Sequence, residues 1–205
     1  MVDSLQQIPI VAVLGLVPNG LGGTIGFIKI APNLEATIIH IPVLIGGALL
    51  GRRQGLYLGI AFGVISNIAA FIYFSPLFVY PWVAVLPRLI FGLIIYDVTR
   101  FFVKITKNKI VGVGISFMLL TLIHTLMVLT MMFTSYSMVL GTGNWAQDFI
   151  PYLTLLVVVN VPIASTIEMV AAAVVGAVIA VRIAEIRQPE RFEYTEEETS
   201  NESSN

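Results

Sequence analysis

The stretch from Lys109 to Ser137 reads KIVGVGISFMLLTLIHTLMVLTMMFTSYS, and after Lys109 it contains no Asp, Glu, Lys or Arg. About twenty apolar residues in a row suffice to cross a bilayer as one helix. A helix that is apolar all round needs lipid or protein on every side. The whole chain has the same character. Hydrophobic residues make up 57% of its 205 residues and charged residues only 11%, with a mean hydropathy of +0.92. A soluble domain carries about 25% charged residues, so this chain reads as an all-α, polytopic membrane protein.

Working outward from that stretch, five more hydrophobic segments cover residues 5–17, 36–50, 55–73, 81–103 and 149–184. The first is short for a span. The last, at roughly 1.5 Å per residue, is too long for one; a kink at Pro162, or first turns lying along the outer surface, is the expected remedy. Breaker clusters separate the runs: Asn19-Gly20-Leu21-Gly22-Gly23, Ser75-Pro76 with Tyr80-Pro81, and Gly141-Thr142-Gly143-Asn144. Residues 1–187 therefore read as one six-helix membrane domain. Residues 188–205, rich in Glu, Thr, Ser and Asn, read as a disordered acidic tail.

Charge placement orients the chain. Arg52, Arg53, Arg100, Lys104, Lys107, Lys109, Arg182, Arg187 and Arg191 are nine of the eleven bases, and all fall on one side of the six segments. The alternate loops, 18–35, 74–80 and 138–148, carry only Lys29. The positive-inside rule then puts both termini in the cytoplasm of a plasma-membrane protein. The N-terminus lacks a basic n-region and a small-residue cleavage site, so no cleavable signal is expected. There are no cysteines, which excludes disulfides and Cys-based metal sites. No cofactor is indicated.

Ionisable side chains inside the slab are costly and usually face a partner or a wet cavity. Arg88, His124, Asn160 and Glu168 fall inside it, and Asn67 and His40 lie nearer the outer ends of their segments. Counted in helical turns, Asn67, Arg88 and Asn160 lie about 10 Å deep and His124 near the middle. These groups can converge on a small-molecule pocket open to the outside. Each has a plainer role too. Arg88 can pair with Glu168 as an interhelical bolt. His124, beside Thr121 and Thr125, can be a satisfied core histidine, Asn160 can be helix–helix glue, and His40 can face headgroups. Gly55, Gly59 and Gly63 form a stripe that lets another backbone approach, within the chain or from another subunit. Trp82 belongs to an aromatic belt or covers a ligand. Two histidines on two helices do not make a metal site. Walker motifs, nucleophile–base arrangements and long basic patches are all missing from the sequence, so neither an enzyme nor a nucleic-acid binder is expected.

Several runs together resemble a known family: Gly26-Phe27-Ile28-Lys29-Ile30-Ala31-Pro32, Glu35 to Gly46 with its His40-Ile41-Pro42, Leu50 to Ser66 with Gly51-Arg52-Arg53, Phe74-Ser75-Pro76, Leu86-Pro87-Arg88-Leu89-Ile90-Phe91-Gly92, and Asn160 followed by Glu168. They are similar to the substrate-binding S component of energy-coupling factor (ECF) vitamin transporters, most of all the pantothenate type. Folate-, pyridoxine-, hydroxymethylpyrimidine- and cobalamin-type members share much of the pattern. The resemblance implies a six-helix, vitamin-binding, non-enzymatic subunit. Its partners would be a transmembrane coupling subunit (EcfT type) and two ATPase subunits. It implies Arg88 as the anchor of an anionic vitamin, with His40, Asn67, Trp82, His124, Thr125 and Asn160 around it. Two departures stand out. The family's Thr-Asn-Thr is Ile123-His124-Thr125 here, and its Ala-x-x-x-Ala coupling face has Ala12 followed by Leu16. Ala12, Gly55, Gly59 and Gly63 are the expected contacts to the coupling subunit.

Overall fold

The computed structural model describes residues 4–20, 23–31, 34–73, 78–106, 108–139, 141–156 and 161–187. In chain order these form α1 (Ser4–Leu16), β1 (Phe27–Ala31), β2 (Leu34–Thr37), α2 (His40–Leu50), α3 (Arg52–Ile72), α4 (Pro81–Ala84), α5 (Leu86–Ile105), α6 (Lys109–Val139), α7 (Trp145–Leu156), α8 (Val161–Ala171), a π-helical turn (Ala172–Gly176) and α9 (Ala177–Arg187). Local chemistry sets the breaks. Gly51 separates α2 from α3 with φ 98°, a conformation that side chains with a Cβ rarely adopt. Pro81 and Pro87 sit in the first turns of α4 and α5, where a missing N–H is harmless. Asn108 caps α6, its Oδ1 accepting from the backbone N–H of Ile110 at 3.0 Å and Val111 at 3.3 Å.

Four stretches are long and apolar enough to cross a membrane: Arg52–Ile72, Pro81–Ile105, Lys109–Val139 and Ala164–Ile186. Two further apolar helices, Gln7–Leu16 and His40–Leu50, are shorter. The α2 helix has 11 residues, about 16 Å of rise against a hydrocarbon core of about 30 Å. So the six hydrophobic segments are helical, but among the described residues four, not six, have spanning length. Segment two loses its start because Ala36 and Thr37 belong to β2. The loop expected over 18–35 carries an antiparallel hairpin with Phe27 opposite Thr37 and Lys29 opposite Glu35. Segment six is divided into α7, α8, the π turn and α9, and Pro162 falls in the first turn of α8 rather than at a mid-helix kink. The tail expected at 188–205 lies outside the described residues.

Packing centres on α3 against α5. A Cβ at Gly55 would meet the Gly92 carbonyl, one at Gly59 the Arg88 carbonyl, and one at Gly63 the Val85 backbone. The stripe lets two backbones touch, which maximises dispersion contacts where lipid supplies no hydrophobic drive for helix association. Of the two roles expected for the stripe, the described residues display packing within the chain: Gly55, Gly59 and Gly63 are buried against α5 and the turn before it. On the opposite face of α3, Tyr57, Val64 and Phe71 are exposed, as suits contact with lipid. Hydroxyls on α6 bond back to their own helix, Thr121 to the Phe117 carbonyl and Thr130 to that of Leu126. In hydrocarbon such groups have no water to turn to.

Candidate functional site

The start of α5 buries a cation. Pro87 holds the first turn, and the next residue, Arg88, is only 5% exposed. Its Nη1 donates to the Val83 carbonyl at 2.7 Å, while its Nε has no protein partner. The guanidinium carbon stands 5.5 Å from the Phe62 ring centre and 5.3 Å from that of Phe78. Two aromatic faces steady the cation but do not replace an anion.

Polar groups from neighbouring helices gather near it. His124, in the middle of α6, is buried, with its ring centre 4.9 Å from Phe91 and 5.8 Å from Phe62. Phe62 thus touches both Arg88 and His124. His40, at the start of α2, is 1% exposed. Arg88, His40 and Glu168 lie within charge–charge range in a chain that runs from His40 to His124 to Arg88 to Glu168. Ser66 stands one turn beyond Phe62 on α3 and is buried. The Nε2 atoms of both histidines and the Ser66 hydroxyl have no protein partner. Buried polar atoms are nearly always hydrogen-bonded, and orphans call for an explanation. Three of these orphans lie around Phe62 and the fourth, on His40, lies within charge range of His124; such groups call for polar partners.

The expected bolt is absent: among the described residues Arg88 and Glu168 form no salt bridge. Glu168 instead accepts the Thr37 backbone N–H at 2.6 Å, tying α8 to the hairpin. The structure also shows where the other expected residues lie. The Asn67 amide donates to the Phe78 and Val79 carbonyls at 3.0 and 2.9 Å, latching the residues before α4 onto α3. Trp82 is partly exposed, donates to the Ser135 hydroxyl at 2.7 Å and stacks on Tyr80 at 4.8 Å. Thr125 is half-buried next to His124, and Ala12 is half-buried against the core. Asn160 lies outside the described residues. The sequence reading passed over Phe62, Ser66, Phe78 and Phe91. Phe91 had a signal, since it follows Arg88 by three residues on one helix face.

A second polar cluster, away from the first, ties the end of α6 to the start of α7. Asp148, near the start of α7, accepts from the Ser137 hydroxyl at 2.7 Å, the Thr142 N–H at 2.8 Å and the Thr142 hydroxyl at 3.0 Å. The Ser137 hydroxyl, aided by the Thr142 N–H, holds this carboxyl below its usual range. Sequence reading missed this clamp as well: a single acid in a polar loop carries no spacing that marks it.

Spanning-length helices, exposed apolar side chains and a buried arginine with an unpartnered Nε together define the class as a polytopic α-helical membrane protein. Sequence comparison gives the class a family: the model for the ECF transporter, substrate-specific component, matches residues 6–185, and the chain belongs to that family. It is similar to the pantothenic acid transporter PanT of Lactococcus lactis subsp. cremoris, with 30% identity over 134 residues, covering 57% of this chain and 64% of PanT. The chain thus matches a little under two thirds of that relative's length.

Proposed function

We propose that this chain is the vitamin-capturing subunit of an ATP-driven ECF importer and that its substrate is pantothenate. The observation that carries the reading is Arg88: a buried guanidinium with an unpartnered Nε, two aromatic neighbours and, among the described residues, no carboxylate in contact. A carboxylate ligand completes it, because the guanidinium fork matches a carboxylate with two bonds. Pantothenate also carries an amide and two hydroxyls, which suit the orphan atoms of His124, His40 and Ser66. Phe62, Phe78 and Phe91 cover its apolar middle. Thr125 and Asn160 complete the lining, and Asn67 and Trp82 hold the outer rim. The similarity to a pantothenic acid transporter supports the same vitamin.

In this reading six helices are embedded in the plasma membrane with both termini in the cytoplasm, a topology that the base distribution supports. The sequence contains no nucleotide motif, so energy comes from two separate ATPase subunits through an EcfT-type coupling subunit. Ala12 is an expected contact to that subunit. The test is calorimetry with pantothenate on well-folded protein. Truncating one partner of a buried charged pair costs about 2–5 kcal/mol, so Arg88→Ala should weaken binding by about 30-fold or more. Arg88→Lys keeps the charge without the fork and should fall between. Unchanged affinity in Arg88→Ala would remove the anionic vitamin from the site.

A further inference from the structure

A cleft opens at the other end of the bundle, far along α5 from Arg88. It has a volume of about 380 Å³ and lies between α2, α5, α6 and α9. Small residues create it: Ala180 and Ala184 on α9 stand opposite Val103 on α5 and leave room that larger side chains would fill. Its mouth is basic. Arg100 and Lys109 line it together with the Tyr96 hydroxyl, and Arg100 donates to that hydroxyl at 3.2 Å. The acid at the mouth, Glu185, is already paired with Arg182 at 3.0 Å. The flanking surface is not suited to water, since Phe101, Ile105 and Ile110 are exposed beside it.

We propose that this cleft holds an anionic phospholipid of the cytoplasmic leaflet, with an acyl chain along the alanine floor and its phosphate between Arg100 and Lys109. Two observations favour a lipid over a soluble anion. The cleft is apolar below and basic only at the rim, which matches an amphiphile in shape and charge. It also opens on the end of the bundle that carries Arg52, Arg53, Arg100, Lys104, Lys109 and Arg182, and anionic headgroups concentrate beside such bases. Basic pockets between helices at this level are suited to lipid headgroups. The proposal does not depend on which vitamin the outer site takes.

The test uses the full chain in detergent, supplied with phosphatidylglycerol, phosphatidylcholine or glycerol 3-phosphate, and reads retained lipid by native mass spectrometry together with the melting temperature. Phosphatidylglycerol should be retained and should raise the melting temperature; the other two should do neither. Arg100→Gln with Lys109→Gln should cut retention about tenfold or more. Ala184→Leu, which fills the floor and keeps both charges, should cut it as well. Arg53→Gln, an exposed base outside the cleft, should leave it intact. Equal loss in Arg53→Gln would mean unspecific charge attraction and overturn the proposal. Stabilisation by glycerol 3-phosphate would make this a soluble-anion site. If Ala184→Leu kept its lipid but lost co-purification with the coupling subunit, the cleft would be a protein-docking surface instead. A cooperative melt in every variant guards against misfolding.

Discussion

Two arginines near opposite ends of the α3–α5 pair are treated in opposite ways. Arg52, at the start of α3, is 64% exposed at its side chain and sits 2.7 Å from the Asp97 carboxylate. Arg88, at the start of α5, is 5% exposed and has only a backbone carbonyl to bond. A surface ion pair contributes about 0–1 kcal/mol, whereas a buried charge without a counter-ion is costly. The chain has put a carboxylate in contact with the arginine where it matters little and holds Glu168 within charge range but out of contact with the one where it matters most. A protein selected for stability alone would reverse that. Local rules are broken in this manner at functional sites, and the difference is the physical reason to read Arg88 as an incomplete pair whose other half is a ligand.

The largest expected effect breaks this comparison outright if it fails. Arg88→Met removes a buried charge and keeps most of the side-chain volume. Replacing buried ionic groups by apolar ones of similar size is often neutral or stabilising. The variant should therefore melt at or above the parent while binding pantothenate about 30-fold or more weaker. Glu168→Gln should melt near the parent, since it keeps an oxygen to accept the Thr37 N–H. If both variants melted far below the parent, Arg88 and Glu168 would be a structural bolt after all, and the comparison would collapse.

Next in size is the seam between the two arginines. A Cβ at Gly59 would collide with the Arg88 carbonyl and crowd Gly92. Overpacking of this kind costs about 1–3 kcal/mol, so Gly59→Ala should lower the melting temperature clearly, and by more than an alanine at exposed Tyr57. It should also weaken binding, because the displaced backbone is that of Arg88 itself. A melt indistinguishable from the parent's would show that α3 and α5 do not rely on this contact.

The α3–α5 seam was legible in part. The glycine spacing showed that a backbone would approach; it could not show whose, because a stripe facing inward and one facing a partner read the same in one dimension. Arg88 was legible because a charge in an apolar run has few innocent explanations. Its missing partner was not, since Glu168 stood at plausible depth and only the fold reveals that it bonds Thr37 instead. Phe62 and Ser66 were hidden because aromatic and hydroxyl residues are ordinary in such helices. The hairpin was hidden for another reason. Phe27 to Thr37 contains a proline and mixed polarity, and so lacks the clean alternation that marks a strand.

A smaller effect concerns the outer loop. Asp148 has its folded-state pKa lowered, chiefly by the Ser137 hydroxyl. A lowered value means the clamp contributes fully above the unfolded carboxylate pKa of about 3.9. That contribution is lost as pH falls through the lower folded value. Proteolysis within 141–144 should hence be slow and flat from neutral pH down to about 4 and rise only below it. Asp148→Asn should be cut faster at neutral pH and lose the acid step. An acid step that persisted in Asp148→Asn would assign it to another group.

The smallest effect returns to the first of the two arginines. Arg52 and Asp97 form a good contact, Nε and Nη2 both reaching Oδ2 at 2.8 and 2.7 Å, yet their side chains are 64% and 48% exposed. Water screens such a pair and salt screens it further. Arg52→Gln should shift stability by no more than about 1 kcal/mol, and raising the ionic strength of the buffer should shrink the difference between variant and parent. Pantothenate binding should be unchanged, because the pair lies at the far end of α3 and α5 from Arg88. A loss as large as that of Gly59→Ala, insensitive to salt, would mean that membrane insertion dehydrates this pair. The contrast between a solvated arginine that has its carboxylate and a buried one that lacks it would then need redrawing with both charges in low dielectric.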